Sequence, residues 1–251
     1  VNSKQIQPDY GIDSPYIILG LSIAVGICLA MGLVLSRAGH STGRWVAFAV
    51  AAYFGQGSIG MLLYSKVTKL RMREEFLNSI PWRGDEQVLD IGCGRGLLTI
   101  AAAKRLRTGK VTGVDVWLPK AMTGNRSSAV LENAAAEGVA DRVTVEQADA
   151  QDLPFPDESL DIVVANFVLH EIDTVSGRQK MVEEIARVLK PGGYVALRDF
   201  IFTDVCVAEL SRGGVPASRE RVGGLSFWAG AILNLGFFRL YHVTGRKEVT
   251  G

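Results

Sequence analysis

The stretch VLDIGCGRG, from Val88 to Gly96, decides the fold. Val88, Leu89 and Ile91 form an apolar run of strand composition, interrupted by Asp90 just before a glycine-rich turn. Leu97 to Arg107 (LLTIAAAKRLR) follows with helical composition and neither Gly nor Pro. Strand, acid, glycine turn and helix in that order is how an open α/β sheet receives a nucleoside-type ligand at the carboxyl ends of its strands. Gly92, Gly94 and Gly96 remove every second side chain from the turn, so its backbone N–H groups and the helix N-terminus are predicted to approach the ligand closely. The dinucleotide fingerprint G-x-G-x-x-G would need a glycine at position 97, which is Leu97. The spacing is instead D-x-G-x-G-x-G, counted from Asp90.

Companion segments follow in order. VTGVDVW (Val111 to Trp117) predicts a second strand ending at Asp115, where an acid can accept two hydrogen bonds from a ribose diol. RVTVEQADAQDLPF (Arg142 to Phe155) predicts a third strand running into Asp149. LDIVVANFVLHEI (Leu160 to Ile172) is a nearly unbroken apolar strand that stops at Asn166. RVLKPGGYVALRDF (Arg187 to Phe200) reads as a helix end, a Lys-Pro-Gly-Gly turn and a fifth strand. Helices are predicted over 120–138 and 174–190. The alternation implies an α/β fold, a doubly wound and mostly parallel sheet with helices on both faces.

These motifs, over roughly Gln87 to Phe200, resemble those of class I S-adenosylmethionine-dependent methyltransferases, and the central ones are similar to the quinone and sterol C-methyltransferase group. The resemblance implies a Rossmann-like domain, S-adenosylmethionine as cofactor and methyl transfer as the activity. By the same resemblance Asp90 orients the glycine turn and meets the methionine moiety, while the backbone of Gly92, Cys93, Gly94 and Gly96 packs against the cofactor. Asp115 holds the ribose, Val116 and Trp117 flank the adenine, Asp149 with Ala150 reads it, and Asn166 and Phe167 open the acceptor region. His170 and Glu171 stand as candidate bases beside a structural or cofactor-shell role, and Asp199 as a third candidate beside simple strand-end solvation.

Of the 251 residues, Lys and Arg total 27 against 26 acids, so no global basic field draws nucleic acid, and no nucleic-acid motif is present. The three cysteines, Cys28, Cys93 and Cys206, form no C-x-x-C pair, which argues against zinc and a disulfide framework. They also lack the thiol set of arsenite methyltransferases. Cys93 reads as a small side chain suited to a tight turn. No paired metal carboxylates stand out, so no metal site is expected.

The front of the chain is different. Ser14 to Ser36 and Trp45 to Ser65 contain no charged residue, and each run is long enough to cross a bilayer. Tyr16 and Trp45 sit at run ends, where interfacial aromatics gather. Ser22, Gly26 and Ala30 recur every four residues, as do Ala51 and Gly55, which predicts small-residue packing between two helices. A cleaved signal peptide is disfavoured by the absent basic leader, the long apolar run and the lack of a convincing cleavage site. Residues 1–65 are therefore expected to hold a transmembrane hairpin, with spans at about 15–36 and 45–65. A linking helix is expected over 66–86 and the cofactor-binding domain over 87–251. Lys66, Lys69, Arg71 and Arg73 follow the second span, against Arg37 and Arg44 in the link; this places the catalytic domain in the cytosol of an integral membrane protein. The expected partners are a lipophilic small molecule and membrane lipid.

Beyond Phe200 a Gly-, Arg- and Ser-rich stretch, Ser211 to Gly224, reads as a loop that can act as a lid. Leu225 to Leu235 reads as an apolar helix and Phe237 to Thr244 as a strand. Only Arg246 to Gly251 then remain for a closing strand, so the terminal hairpin is either incomplete or continued in a longer chain.

Overall fold

A computed structural model describes residues 7–223 and 239–249. The chain opens with a short strap, residues 7–14, and two antiparallel helices, α1 (Pro15–Arg37) and α2 (Ser41–Leu63). A π-helical turn (Tyr64–Thr68) carries α2 directly into α3 (Lys69–Leu77), so the helix does continue out of the second apolar run, but it ends at Leu77 and the linking helix expected over 66–86 stops nine residues short, ahead of Pro81. The two runs are long and apolar enough to cross a membrane. They turn large side chains outward: Ile27 is 62% exposed and Ile59 60%. The hairpin keeps part of the expected small-residue stripe. Ala51 is buried, Gly55 faces Val25 and the Ser22 hydroxyl lies 3.4 Å from that of Ser58, while Gly26 faces open space and Ala30 is exposed. Gly32 adds a contact the spacing did not predict, so close to Phe48 that a Cβ would fall 2.4 Å from its ring.

The rest is an α/β sandwich. Seven strands lie in the order β3-β2-β1-β4-β5-β7-β6. β1 (Gln87–Ile91), β2 (Lys110–Asp115), β3 (Val143–Gln147), β4 (Leu160–Asn166) and β5 (Leu189–Asp199) are parallel neighbours. β7 (Tyr241–Arg246) runs antiparallel between β5 and β6 (Ala217–Arg221). Val88, Ile162, Val164 and Ala196 bury one sheet face under α3, α4 (Leu97–Ala103) and α5 (Ser127–Ala136). Leu89, Val163, Val195 and Leu197 bury the other under α6 (Val175–Val188) and α7 (Thr203–Arg212). Thr174 starts α6 by accepting the Gly177 N–H at its hydroxyl (3.0 Å), while Ile185 and Met181 fill the core beneath.

Two expectations fail here. The predicted lid at Ser211 to Gly224 holds the end of α7 and edge strand β6, whose polar sequence Ala-Ser-Arg-Glu-Arg carries no apolar alternation. Charged, short edge strands of this kind resist further pairing. The sheet is consequently closed by β6 and β7 rather than left short of a strand. The helix predicted from 120 begins only at Ser127, because residues 117–125 form a loop that pairs with the strap. The expected helix over Leu225 to Leu235, and Phe237 and Phe238, lie outside the described residues.

The strap ties the hairpin to the sheet. Asp9 exchanges two hydrogen bonds with Asn133 (2.8 and 2.9 Å), and Arg95 donates to the Asp9 carbonyl (2.7 Å). Lys69, 3% exposed, donates to the carbonyls of Tyr10 (2.8 Å) and Gly11 (3.0 Å) and to Asp13 Oδ2 (3.0 Å). Ser65 donates to the same carboxylate (2.9 Å). Lys69→Ala would strand these buried acceptors and is expected to destabilise strap docking by about 1–3 kcal/mol. Hydrogen exchange should then rise at residues 9–14 while β1 and β4 stay protected; equal protection throughout would contradict the clamp.

Candidate active site

Because β1, β2, β4 and β5 are parallel, Asp90, Asp115, Asn166 and Asp199 fall at one rim of the sheet. A cavity of about 740 Å³ opens there, between the rim, the strap and the junction of α2 with the π-helical turn. Of the residues expected from sequence, Asp90, Gly92, Cys93, Gly94, Asp115, Val116, Asp149, Ala150, Asn166, His170 and Glu171 line it. Gly96, Trp117 and Asp199 stand behind the wall. Gly96 starts α4 at φ +84°, and a Cβ there would sit 2.8 Å from Val130; it serves the approach of α5. Trp117 does not flank the cavity. Its indole N–H donates to the Gly94 carbonyl (3.0 Å) and its backbone N–H to Asp115 Oδ1 (2.6 Å), so it buttresses the turn from outside.

The glycine turn also departs from expectation. Gly92 and Cys93 both donate their N–H to the Val114 carbonyl, Gly94 donates to Asp115 Oδ2 (2.8 Å), and Gly96 donates to the Cys93 carbonyl. These donors fasten the turn to β2 rather than face a ligand. The glycines supply thinness and left-handed curvature: Gly92 has φ +67°, and a Cβ would lie 2.4 Å from Val168. Cys93 is buried, which pushes its thiol well above the usual range; it packs rather than reacts.

The carboxylates differ in environment. Asp115 is aimed by the two N–H groups it accepts. Asp149 accepts from the Gln151 backbone (2.9 Å) and is exposed at the cavity edge. Asp90 is 2% exposed and accepts from the Thr99 hydroxyl (2.6 Å). Burial pushes its carboxyl up to about 7, with Thr99 opposing and the charge of Asp115 adding. Asn166 Oδ1 is buried without a hydrogen-bond partner.

On the far side, His170 Nδ1 lies 3.3 Å from Asp199 Oδ2 and its Nε2 3.3 Å from Glu171 Oε1. Burial opposes protonation of His170, but the bond to Asp199 and the charges of Asp199 and Glu171 outweigh it and hold the imidazole above its usual range. Phe200 stacks 4.6 Å from the His170 ring, and Tyr64 meets Phe167 edge-on at 6.5 Å. Tyr10, Asp13, Met61, Tyr64, Ser65 and Lys69 complete the wall; sequence reading missed them as site residues. Lys69 looked like one of four basic residues at a helix exit, yet its ammonium is inside. Only contacts spanning 56 to 59 positions, to Asp13, Gly11 and Tyr10, distinguish it.

Residues 89–197 match a methyltransferase domain family. The chain is 33% identical over 167 residues to 27-O-demethylrifamycin SV methyltransferase of Amycolatopsis mediterranei, covering 66% of this chain and 55% of that protein. It is 34% identical over 124 residues to demethylmenaquinone methyltransferase of Symbiobacterium thermophilum, covering 49% and 46%. The chain thus spans about half the length of these relatives. Among solved structures, the [4+2]-cyclase SpnF superposes with TM-score 0.60 at 20% identity, over 74% of this chain and 84% of that one. An S-adenosylmethionine-dependent methyltransferase from Aquifex aeolicus gives 0.56 at 21% identity, over 76% and 97%. Residues 89–197 thus match a methyltransferase domain, and the superpositions show the fold of the sheet and its helices.

The rim has a geometry that suits S-adenosylmethionine, the cofactor the sequence motifs imply. The side-chain-free turn at Gly92 and Gly94, the held carboxylate of Asp115 and Asn166, whose Oδ1 is buried without a hydrogen-bond partner, all line one space. Asp90 adds a desolvated acid where a cationic amino group would favour its ionised form.

Asp90 carries a consequence for stability. Its folded pKa lies above the unfolded value, so ionisation opposes folding: stability is full below about pH 4 and declines as pH rises toward 7. Without cofactor, Asp90→Asn is expected to raise Tm at pH 8 by the equivalent of a few kcal/mol and to change little at pH 4, while weakening cofactor binding. A Tm difference that stays constant with pH would refute the buried-acid assignment.

Proposed function

We propose that this chain methylates a lipophilic small molecule, of quinone, isoprenoid, sterol-like or phospholipid type, taken from the membrane in which α1 and α2 are embedded. The observation that carries the reading is that the helix leaving the outward-apolar hairpin supplies the cavity wall. Met61, at the end of α2, and Tyr64, in the next turn, line the same space as Asn166 and His170. Exposure supports the membrane: a core hairpin of a water-soluble fold would bury Ile23, Ile27, Leu33 and Ile59, which are all more than half exposed. The positive charge after α2 supports a cytosolic side for the domain in this reading.

In this reading Asp90 meets the amino group of the methionine moiety, Asp115 the ribose and Asp149 the adenine. When bound, S-adenosylmethionine supplies a methyl group on a sulfonium whose leaving group departs uncharged. The protein's work is therefore alignment and exclusion of water. Phe167, Phe200 and Tyr64 wall the acceptor end with aromatic surface. Asp199 accepts a hydrogen bond from the Nδ1–H of His170, which leaves the Nε2 lone pair, beside Glu171 (3.3 Å), to take a proton from the acceptor's hydroxyl or activated carbon. Glu171, at the solvent side, tunes that imidazole.

Full-length protein in vesicles made from native membrane lipid, supplied with methyl-labelled cofactor, is expected to move label into the organic extract. Label confined to the aqueous phase or to protein would reject the lipophilic acceptor.

If His170 is the base, kcat/KM should fall as pH drops through a pKa above the ordinary imidazole value of about 6.5. Asp199→Asn should move that limb to lower pH, and His170→Ala should abolish it and lower kcat by about 100- to 10,000-fold. A limb that stays in place in Asp199→Asn would assign the titration to another group.

A further inference from the structure

Asn125 presents an unused acceptor to the cavity. It lines the same space as Gly94 and Asp115, and its Oδ1 is buried with no hydrogen-bond partner among the described residues. Its Nδ2 donates to the Leu118 carbonyl (3.0 Å). A carbonyl only accepts, so this bond fixes which arm of the amide is nitrogen and turns the oxygen away from Leu118. A Cβ built on Gly94 would stand 4.0 Å from that oxygen. Asn125 thus meets the glycine turn at the residue whose N–H holds Asp115 Oδ2 (2.8 Å).

The surrounding loop holds the amide in this position. Buried Arg95 donates through Nη1 to the carbonyls of Thr123 (3.0 Å) and Gly124 (3.2 Å). Gly124 has φ +61°, and a Cβ there would overlap the same nitrogen, so the approach needs glycine. Thr123 donates its N–H to the Ile12 carbonyl (3.0 Å), and its hydroxyl accepts the Ile12 N–H (2.9 Å). None of these bonds uses Asn125 Oδ1. An acceptor withdrawn from water, fixed in place and given no donor is unfavourable until a ligand brings one.

S-adenosylmethionine carries donors on its ammonium group, its ribose diol and its adenine amino group. In the binding mode proposed above, their acceptors lie on different strands. Asp90 and Asn166 lie at the ends of β1 and β4, Asp149 follows β3, and Asp115 ends β2. Through Gly94, Asn125 belongs with Asp115, the acid that takes the ribose. We propose that Asn125 is a cofactor ligand whose Oδ1 accepts one ribose hydroxyl beside the Asp115 carboxylate. The proposal rests on the reading of Asp115 as the ribose acid. Both oxygens of that carboxylate already accept an N–H, from Trp117 and Gly94, so a second acceptor lets the diol be shared. A neutral amide also adds no charge to a rim where Asp115 already acts against ionisation of Asp90.

Titration calorimetry on the full chain in detergent tests this, with S-adenosylhomocysteine, the product left by methyl transfer, and its 2′-deoxy and 3′-deoxy analogues. Asn125→Ala is expected to bind S-adenosylhomocysteine about 3- to 10-fold more weakly, the size of one hydrogen bond. It should bind the analogue lacking the matching hydroxyl as tightly as the unaltered protein does. Asp115→Ala, measured in parallel, should also lose affinity selectively for ligands with an intact diol. If Asn125→Ala loses affinity equally for every ligand, or for none, while Asp115→Ala loses it selectively, this inference falls and Asp115 keeps its role. Equal losses across the ligands in both variants overturn the ribose reading and the inference together.

Discussion

A single ammonium determines how the two halves of this molecule meet. The Lys69 side chain is 4% exposed, and three oxygens of residues 10–13 surround it. A buried cation without partners costs several kcal/mol, so the strap and the start of α3 stay together or both open. Between them lies the whole hairpin, which is therefore pinned at both of its ends to the rim of the sheet. The same bond places Asp13 and Ser65 in the cavity wall. Hairpin, cavity and strand ends form one structural unit for this reason, although α1 and α2 share little packing with the sheet.

The rim places its charges with similar economy. Asp90 lies beneath the glycine turn with a hydroxyl for company and another carboxylate nearby, an arrangement that is unfavourable until a cation arrives. Asp115 is fastened by two backbone donors and needs no rearrangement to accept more. Asp149 remains exposed to water. One acid is destabilised by burial, one is held by the N–H groups of Gly94 and Trp117, and one accepts from Gln151 at the exposed cavity edge. Stability given up at Asp90 is recovered through ligand charge, a common exchange at binding sites.

Much of this was legible in the residues. Strands with continuous apolar runs, such as Leu160–Asn166, and the acid-then-glycine turn after Ile91 announce themselves because they are buried on both faces. Edge strand β6 was not legible: Arg219, Glu220 and Arg221 alternate nothing, and its pairing with β7 depends on residues twenty or more positions away. The donors of the glycine turn were misread for a related reason. Spacing reports where side chains are missing but not which carbonyl claims the N–H, and here Val114 claims two. Lys69 was hidden by its company of Lys66, Arg71 and Arg73, since composition cannot tell an ammonium facing solvent from one folded under a strap.

Backbone strain marks the same rim. Trp117 after β2, Phe167 after β4 and Phe202 after β5 all adopt positive φ, at 48°, 60° and 58°. Each is an aromatic residue in a region that glycine enters freely, at a cost of about 1–2 kcal/mol apiece. A glycine would relieve the strain and lose the ring. Phe167 walls the acceptor end, Trp117 props the glycine turn, and Phe202 carries the Arg178 guanidinium 3.4 Å above its ring. Leaving each strand in a left-handed step turns the chain sharply, so a large side chain can stand at the rim without the backbone crossing the cavity. The cavity's shape is therefore held from outside by stiff aromatic corners, and the polar groups that meet a ligand are left free to serve binding.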